Sequence, residues 1–163
     1  MIPFTIENKE SFRVIGFKTI LKGGTSIHSP QFSSQKTAFF KSKVEDGQMA
    51  QLRPYSESPY GIAVVSRENG QFYYYAGVFS SKPLLVQVEE VLFPEGKYLV
   101  LSGSGGLSRL AFDKLEDYAF DTLLTGAFEY EYTGSPIAEV LLNGNPMDAE
   151  VEVWVPVQKR KGK

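Results

Sequence analysis

Asn69-Gly70 separates two runs rich in β-forming residues, Tyr60-Gly-Ile-Ala-Val-Val-Ser-Arg67 and Phe72-Tyr-Tyr-Tyr-Ala-Gly-Val-Phe-Ser80. Asn-Gly favours the type I′ turn, whose twist suits antiparallel strands, so residues 60–79 read as a hairpin. Further strands are predicted over 12–21, 97–103, 137–143 and 149–157, with shorter β-like runs at 4–7 and 88–93. Two segments read as helix. In 107–125, residues Leu107, Leu110, Ala111, Leu115, Tyr118, Ala119, Thr122 and Leu123 form one stripe at spacings of three and four. In 31–51, Phe32, Phe39, Phe40 and Val44 share a face, with Pro30 suited to the start and Arg53-Pro54 to the stop.

Laid end to end, these elements repeat: strand 12–21, helix 31–51 and hairpin 60–79, then strand 97–103, helix 107–125 and the strand pair 137–143 and 149–157. The helices start 76 residues apart (31 to 107) and the hairpins 77 apart (60 to 137). The expected fold is therefore α+β, two βαββ units related by a pseudo-two-fold axis. Their antiparallel sheet would carry both helices on one face and leave a groove between the halves on the other. The halves are placed at about 1–80 and 86–158, together one domain over 1–158, with a basic, disordered tail at 159–163.

Composition removes whole classes of function. There is no cysteine among the 163 residues, so disulfides, thiolate metal sites and cysteine nucleophiles are out. One histidine, His28, rules out a multi-histidine metal site within a chain; it is expected in solvent, in a Ser/Thr-rich loop. No metal or cofactor is predicted. Four of the 17 basic residues (Lys159, Arg160, Lys161, Lys163) lie in the tail, so residues 1–158 carry 13 basic against 19 acidic groups, a net of −6. Such a body is a poor partner for phosphate backbones and a fair one for cations. No secretory leader or membrane-spanning apolar run is present, which points to the cytoplasm.

Gly103-Ser104-Gly105-Gly106 invites a phosphate-loop reading, but Ser108 stands where the dinucleotide fingerprint needs glycine and no Walker lysine follows. Glycines that let the chain turn tightly into a helix account for it better. Glu139 sits in an apolar run, Ile137–Leu142. On the next strand Val151, Val153 and Val155 share one parity, and Glu150, Glu152, Trp154 and Pro156 the other. If the valines face the helices, Glu139 and Trp154 both point to the groove. There a carboxylate beside an indole would suit a delocalised organic cation. An edge glutamate and a core tryptophan give the same pattern. Tyr73, Tyr75 and Phe79 share one parity, and Tyr74, Ala76 and Val78, which look like core, share the other. That leaves Tyr73 and Tyr75 for the groove, although tyrosine is also common in plain sheets.

Glu139-Val-Leu-Leu-Asn143, a short turn, and Glu152-Val-Trp-Val-Pro-Val157 resemble the GyrI-like small-molecule-binding family. That family also supplies the effector-binding domains of bacterial multidrug-responsive activators. Tyr74–Val78 and Ser102–Gly106 resemble its first-half hairpin strand and the entry to its second helix, so the likeness covers about 4–157. It implies a groove for lipophilic, often cationic aromatic compounds, with Glu139 neutralising the ligand and Trp154 stacking on it. The implied ligand-binding set is Glu139, Trp154, Tyr73, Tyr75, Glu152 and Leu141. Some stand-alone relatives hydrolyse strained electrophiles of the cyclopropanoid type with a Trp–Glu pair, which would make Glu139 or Glu152 catalytic. The gyrase-inhibitor branch implies a protein-interaction module instead. The strand pattern begins almost at Met1, leaving no room for the activators' helix-turn-helix, so direct DNA binding is not expected. A stand-alone binder for multidrug sensing or sequestration is the leading expectation.

Overall fold

The computed structural model describes residues 2–83 and 87–161. It contains strands β1 (Phe4–Lys9), β2 (Phe12–Leu21), β3 (Gly61–Glu68), β4 (Gln71–Phe79), β5 (Glu89–Phe93), β6 (Gly96–Ser104), β7 (Tyr130–Tyr132), β8 (Ile137–Leu141) and β9 (Glu150–Lys159). Helices α1 (Ser33–Glu45) and α2 (Gln48–Leu52) follow β2, and α3 (Ser108–Tyr118) follows β6. The strands form one antiparallel sheet in the order β1-β6-β9-β8-β3-β4-β2-β5, with β7 paired to the end of β9.

That order shows the repeat and adds an exchange to it. The two βαββ units meet along the β3–β8 pair at the sheet centre. The short strand preceding each unit does not stay with it. β1 pairs with β6 of the second unit, and β5 pairs with β2 of the first. Each half is thus edged by a strand belonging to the other.

The hairpin turn is as predicted, with Asn69 and Gly70 both at positive φ, 53° and 79°. Gly16 and Gly77 are opposite one another on β2 and β4 for a steric reason. A Cβ on Gly77 would lie 2.2 Å from the Ile15 carbonyl oxygen, and one on Gly16 2.4 Å from that of Ala76. The glycine loop at 103–106 turns the chain into α3, with Gly105 and Gly106 at positive φ and no residue pattern for phosphate.

The helices differ from their predicted extents. Gly47, in the left-handed conformation, ends α1 after Glu45, so segment 31–51 becomes a 3₁₀ turn at Pro30–Phe32 and two helices. Val44, expected on the buried face, is 55 % exposed, while Lys36 is buried. On α3 the inward stripe is Phe112, Leu115, Glu116 and Ala119, whereas Leu107 and Leu110 face outward. The helix loosens into a π-helical turn over Ala119–Leu123. Lys159 and Arg160, expected in a disordered tail, belong to the fold. Lys159 pairs with Tyr130, and the Arg160 guanidinium donates to the carbonyls of Phe128, Leu124 and Thr125. Gly162 and Lys163 lie outside the described residues.

The sheet is buried on both faces. One carries α1 and α3 over Val65, Phe72, Tyr74, Leu101, Ile137, Val151, Val153 and Val155. The other holds a second apolar cluster built on Val14, Ile62, Val64, Tyr75, Tyr98, Val100, Val140 and Trp154. No described helix is long and apolar enough to cross a membrane.

Candidate functional site

On the face away from the helices, Trp154 is the centre. Its ring lies 5.6 Å from Phe79 of β4, nearly stacked, and 5.6 Å from Phe12 of β2, edge to face. β8 and β3 separate β9 from β4, and three strand spacings in a flat sheet would span about 14 Å. The contact therefore requires the two halves to curl towards each other, closing the space between them over an aromatic cluster. Phe12 also stacks on Phe93 at 4.5 Å. Only Glu10 and Ser11 link β1 to β2, so the same crossing delivers both Phe12 and Lys9. The Lys9 ammonium sits 3.9 Å from the centre of the Trp154 ring. The indole Nε1–H donates to Glu152 at 2.8 Å, and Glu7 lies 3.5 Å from the Lys9 ammonium.

The first half repeats this chemistry. The Lys18 ammonium lies 4.3 Å from the Tyr73 ring centre and 5.5 Å from that of Tyr75. It donates to Glu68 at 2.9 Å, and the Tyr75 hydroxyl donates to the other Glu68 oxygen at 2.6 Å. The Glu68 hydrogen bond, working against burial, raises the Lys18 pKa. Burial pushes the Glu68 carboxyl up, but the bonds from Tyr75 and Lys18 outweigh it and hold the group below the usual carboxylate range. Each half thus presents an aromatic surface, a carboxylate and an ammonium on the ring.

Tyr73, Tyr75, Glu152 and Trp154 lie on this face, as their parity predicts. Glu139 and Leu141 do not. β8 and β9 pair with Ala138 opposite Trp154 and Glu139 opposite Val153, so Glu139 points under the helices. The expectation that it shares a side with Trp154 took an apolar parity to mean the helical side. In a sheet buried on both faces that inference fails.

Glu139 instead anchors an internal ionic cluster. Arg109 of α3 grips both its oxygens, Nη1 to Oε1 at 2.9 Å and Nη2 to Oε2 at 2.7 Å. Lys36 of α1 donates to Oε2 at 3.2 Å, and the Tyr74 hydroxyl lies 3.4 Å from Oε1. Burial alone would raise the Glu139 pKa, but Arg109 and Lys36 hold it well below the usual range. Glu116, also buried, lies 3.4 Å from Lys36. Burial and the Glu139 charge push its pKa well above the usual carboxylate range. Its Oε2 has no hydrogen-bond partner and lies 3.7 Å from the Arg109 guanidinium. A visible signal marked this cluster. Lys36 follows Phe32 by four residues, as Glu116 follows Phe112, so each charge stood on its helix's inward face. The roles of Lys9, Lys18, Phe12 and Phe79 had no comparable signal, because strand exchange and sheet curling bring them to the site.

An open cleft of about 670 Å³ lies elsewhere, beside the start of α3, lined by Pro3, Gly105, Leu107, Leu110, Lys114 and Glu150. No aromatic ring lines it, in contrast to the Trp154 and Tyr75 surfaces.

The family model Cass2, integron-associated effector binding protein, matches residues 5–157, bearing out the resemblance carried by the sequence motifs. Among solved structures, SAV2435 bound to tetraphenylphosphonium is similar at a TM-score of 0.79 and 16 % identity, over 96 % of this chain and 94 % of that one. A protein from Staphylococcus aureus MU50 described as a bacterial transcription regulation protein has a TM-score of 0.75 at 18 % identity, over 97 % and 99 % of the chains. The integron cassette protein VCH_CASS2 of Vibrio cholerae has a TM-score of 0.64 at 15 % identity, over 95 % of both chains. At these identities the likeness is one of fold. No curated protein matches the sequence.

Proposed function

This chain belongs to the integron-associated effector binding protein family, and we propose that it binds lipophilic organic cations bearing aromatic groups on the helix-free face of its sheet. The observation that carries this reading is the Lys9 ammonium, 3.9 Å above the Trp154 ring while Glu152 holds the indole N–H. The protein already places a cation over this ring, with the Glu7 carboxylate 3.5 Å from it. Lys9 comes from β1, an edge strand that pairs with β6 alone, so an incoming cation would displace the ammonium at little cost to the sheet. Tyr73 and Tyr75, with Glu68, supply the matching surface in the other half. SAV2435, similar over nearly the whole chain, was solved with tetraphenylphosphonium, a ligand of this chemical class. Trp154 is the only tryptophan, so titration with tetraphenylphosphonium followed by its fluorescence reports on the site itself. Saturable quenching is expected, and its absence would refute the reading.

The 2.8 Å contact between Trp154 and Glu152 also supports a second reading, hydrolysis of a strained electrophile with Glu152 as general base. Turnover of a cyclopropanoid substrate that disappears in Glu152→Gln would establish it, and turnover surviving that change would exclude it.

A further inference from the structure

On the helical side, residues 22–29 loop out after β2 and bring His28 against the π-helical turn that ends α3. The His28 ring stacks on Phe120, 5.1 Å between centres, and its Nε2 lies 3.0 Å from Asp121 Oδ1. Its Nδ1 faces the Ser26 hydroxyl at 3.4 Å, and that hydroxyl is held in turn by Ser29 at 3.1 Å. His28 is therefore half-buried and oriented, not free in solvent as its Ser/Thr-rich context implied. Asp117 lies four residues before Asp121, and one ligand atom from each of His28, Asp117 and Asp121 falls within 4.8 Å of the others. Three donors coordinating one ion at about 2.0–2.2 Å stand roughly 3–3.5 Å apart, so small side-chain adjustments suffice to converge them. The polar partner at Nδ1 orients the ring so that Nε2 faces the carboxylates, where a metal would take the place of its contact with Asp121. Both aspartates are exposed, which leaves coordination positions for water.

We propose that His28, Asp117 and Asp121 form a binding site for a divalent metal ion of the zinc type. One imidazole and two carboxylates suit such an ion, whereas magnesium and calcium, which take oxygen ligands, gain little from the nitrogen. Occupancy would clamp a first-half loop to the second-half helix, apart from the Trp154 site. The proposal does not depend on the organic-cation reading.

The chain's single histidine makes the test clean. A long-range ¹H–¹⁵N spectrum of the full chain contains one imidazole, and zinc chloride is titrated against it. The expected result is a saturable shift of both ring nitrogens, with magnesium chloride producing none. The shift should be lost in Asp117→Asn/Asp121→Asn, checked as folded by its amide spectrum. Imidazole signals unmoved by a large excess of zinc would overturn the site. So would an equal shift in the double variant, since that would show the metal binding histidine alone.

Discussion

Glu139 and Trp154 are near neighbours across β8 and β9 yet face opposite ways. Trp154 is paired with Ala138 and looks into the aromatic cluster between the halves, while Glu139 is paired with Val153 and is gripped by Arg109 under the helices. One residue of register thus separates the aromatic face under the Lys9 ammonium from a buried ionic cluster beneath the helices. The two residues should respond differently to substitution.

Glu139→Gln removes the carboxylate shared by buried Lys36 and half-buried Arg109, which keeps Asp113 at 2.8 Å. Breaking a buried ion pair from one side costs about 3–5 kcal/mol, and Arg109 and Lys36 would both be left short. Urea denaturation should show a loss of that order. A loss below about 1 kcal/mol, the level of an exposed pair, would show that the cluster does not brace the helices.

The same cluster sets a pH dependence with two limbs. Glu139 has a depressed folded pKa, so its contribution is present above the ordinary carboxylate pKa and is lost as pH falls below that toward the depressed folded value. Glu116 has a raised folded pKa. Between the unfolded and folded values the native state holds a proton that the unfolded state has released, so stability falls as pH rises there, by at most about 1.4 kcal/mol per pH unit. Glu116→Gln keeps a donor for Glu139 and removes this limb. Urea midpoints measured across mildly acidic to neutral pH should be flatter in the variant, and parallel profiles would show that Glu116 does not carry the proton.

Gly77→Ala forces a methyl group to within 2.2 Å of the Ile15 carbonyl oxygen, against the β2 backbone. Overpacking of this kind costs about 1–3 kcal/mol. Gly126→Ala, where nothing lies within 4 Å, provides the control. Thermal unfolding should separate the two, and equal melting temperatures would show that β2 and β4 can part freely at this crossing.

Lys9→Met keeps the aliphatic stem and removes the ammonium over Trp154. If that ammonium occupies the ligand's place, tetraphenylphosphonium should bind more tightly by the worth of an exposed to partly desolvated cation–π contact, about 0.5–2 kcal/mol. Calorimetric titration decides it. Weaker binding in Lys9→Met would mean that the lysine contributes to the site instead of standing in for its ligand.

Much of the architecture could be read from the chain because local signals were strong. Asn69-Gly70 fixed a hairpin, and the 76- and 77-residue offsets fixed the duplication. Parity alone placed Tyr73, Tyr75, Glu152 and Trp154 on the correct face. Glu139 and Leu141 were misplaced because both faces of β8 are apolar, so its pattern says nothing about which side carries the helices. The β1–β5 exchange, and with it Lys9 and Phe12 over Trp154, depends on pairings between residues 73 to 97 apart, such as Gly16 with Glu89 and Phe4 with Leu101. Periodicity does not encode such pairings. The break at Gly47 was a local signal within a helical run, a glycine needing positive φ where α1 ends.

Binding of an organic cation on the Trp154 face is decided by titrating tetraphenylphosphonium into the protein, Glu152→Gln and Glu139→Gln, each under conditions where it is folded. Quenching of Trp154 should saturate in the unmodified protein and be weakened by at least about 1.5 kcal/mol in Glu152→Gln, the low end for a charged partner. It should be unchanged in Glu139→Gln. Affinity lost in Glu139→Gln but kept in Glu152→Gln would contradict the account and move the binding site beneath the helices.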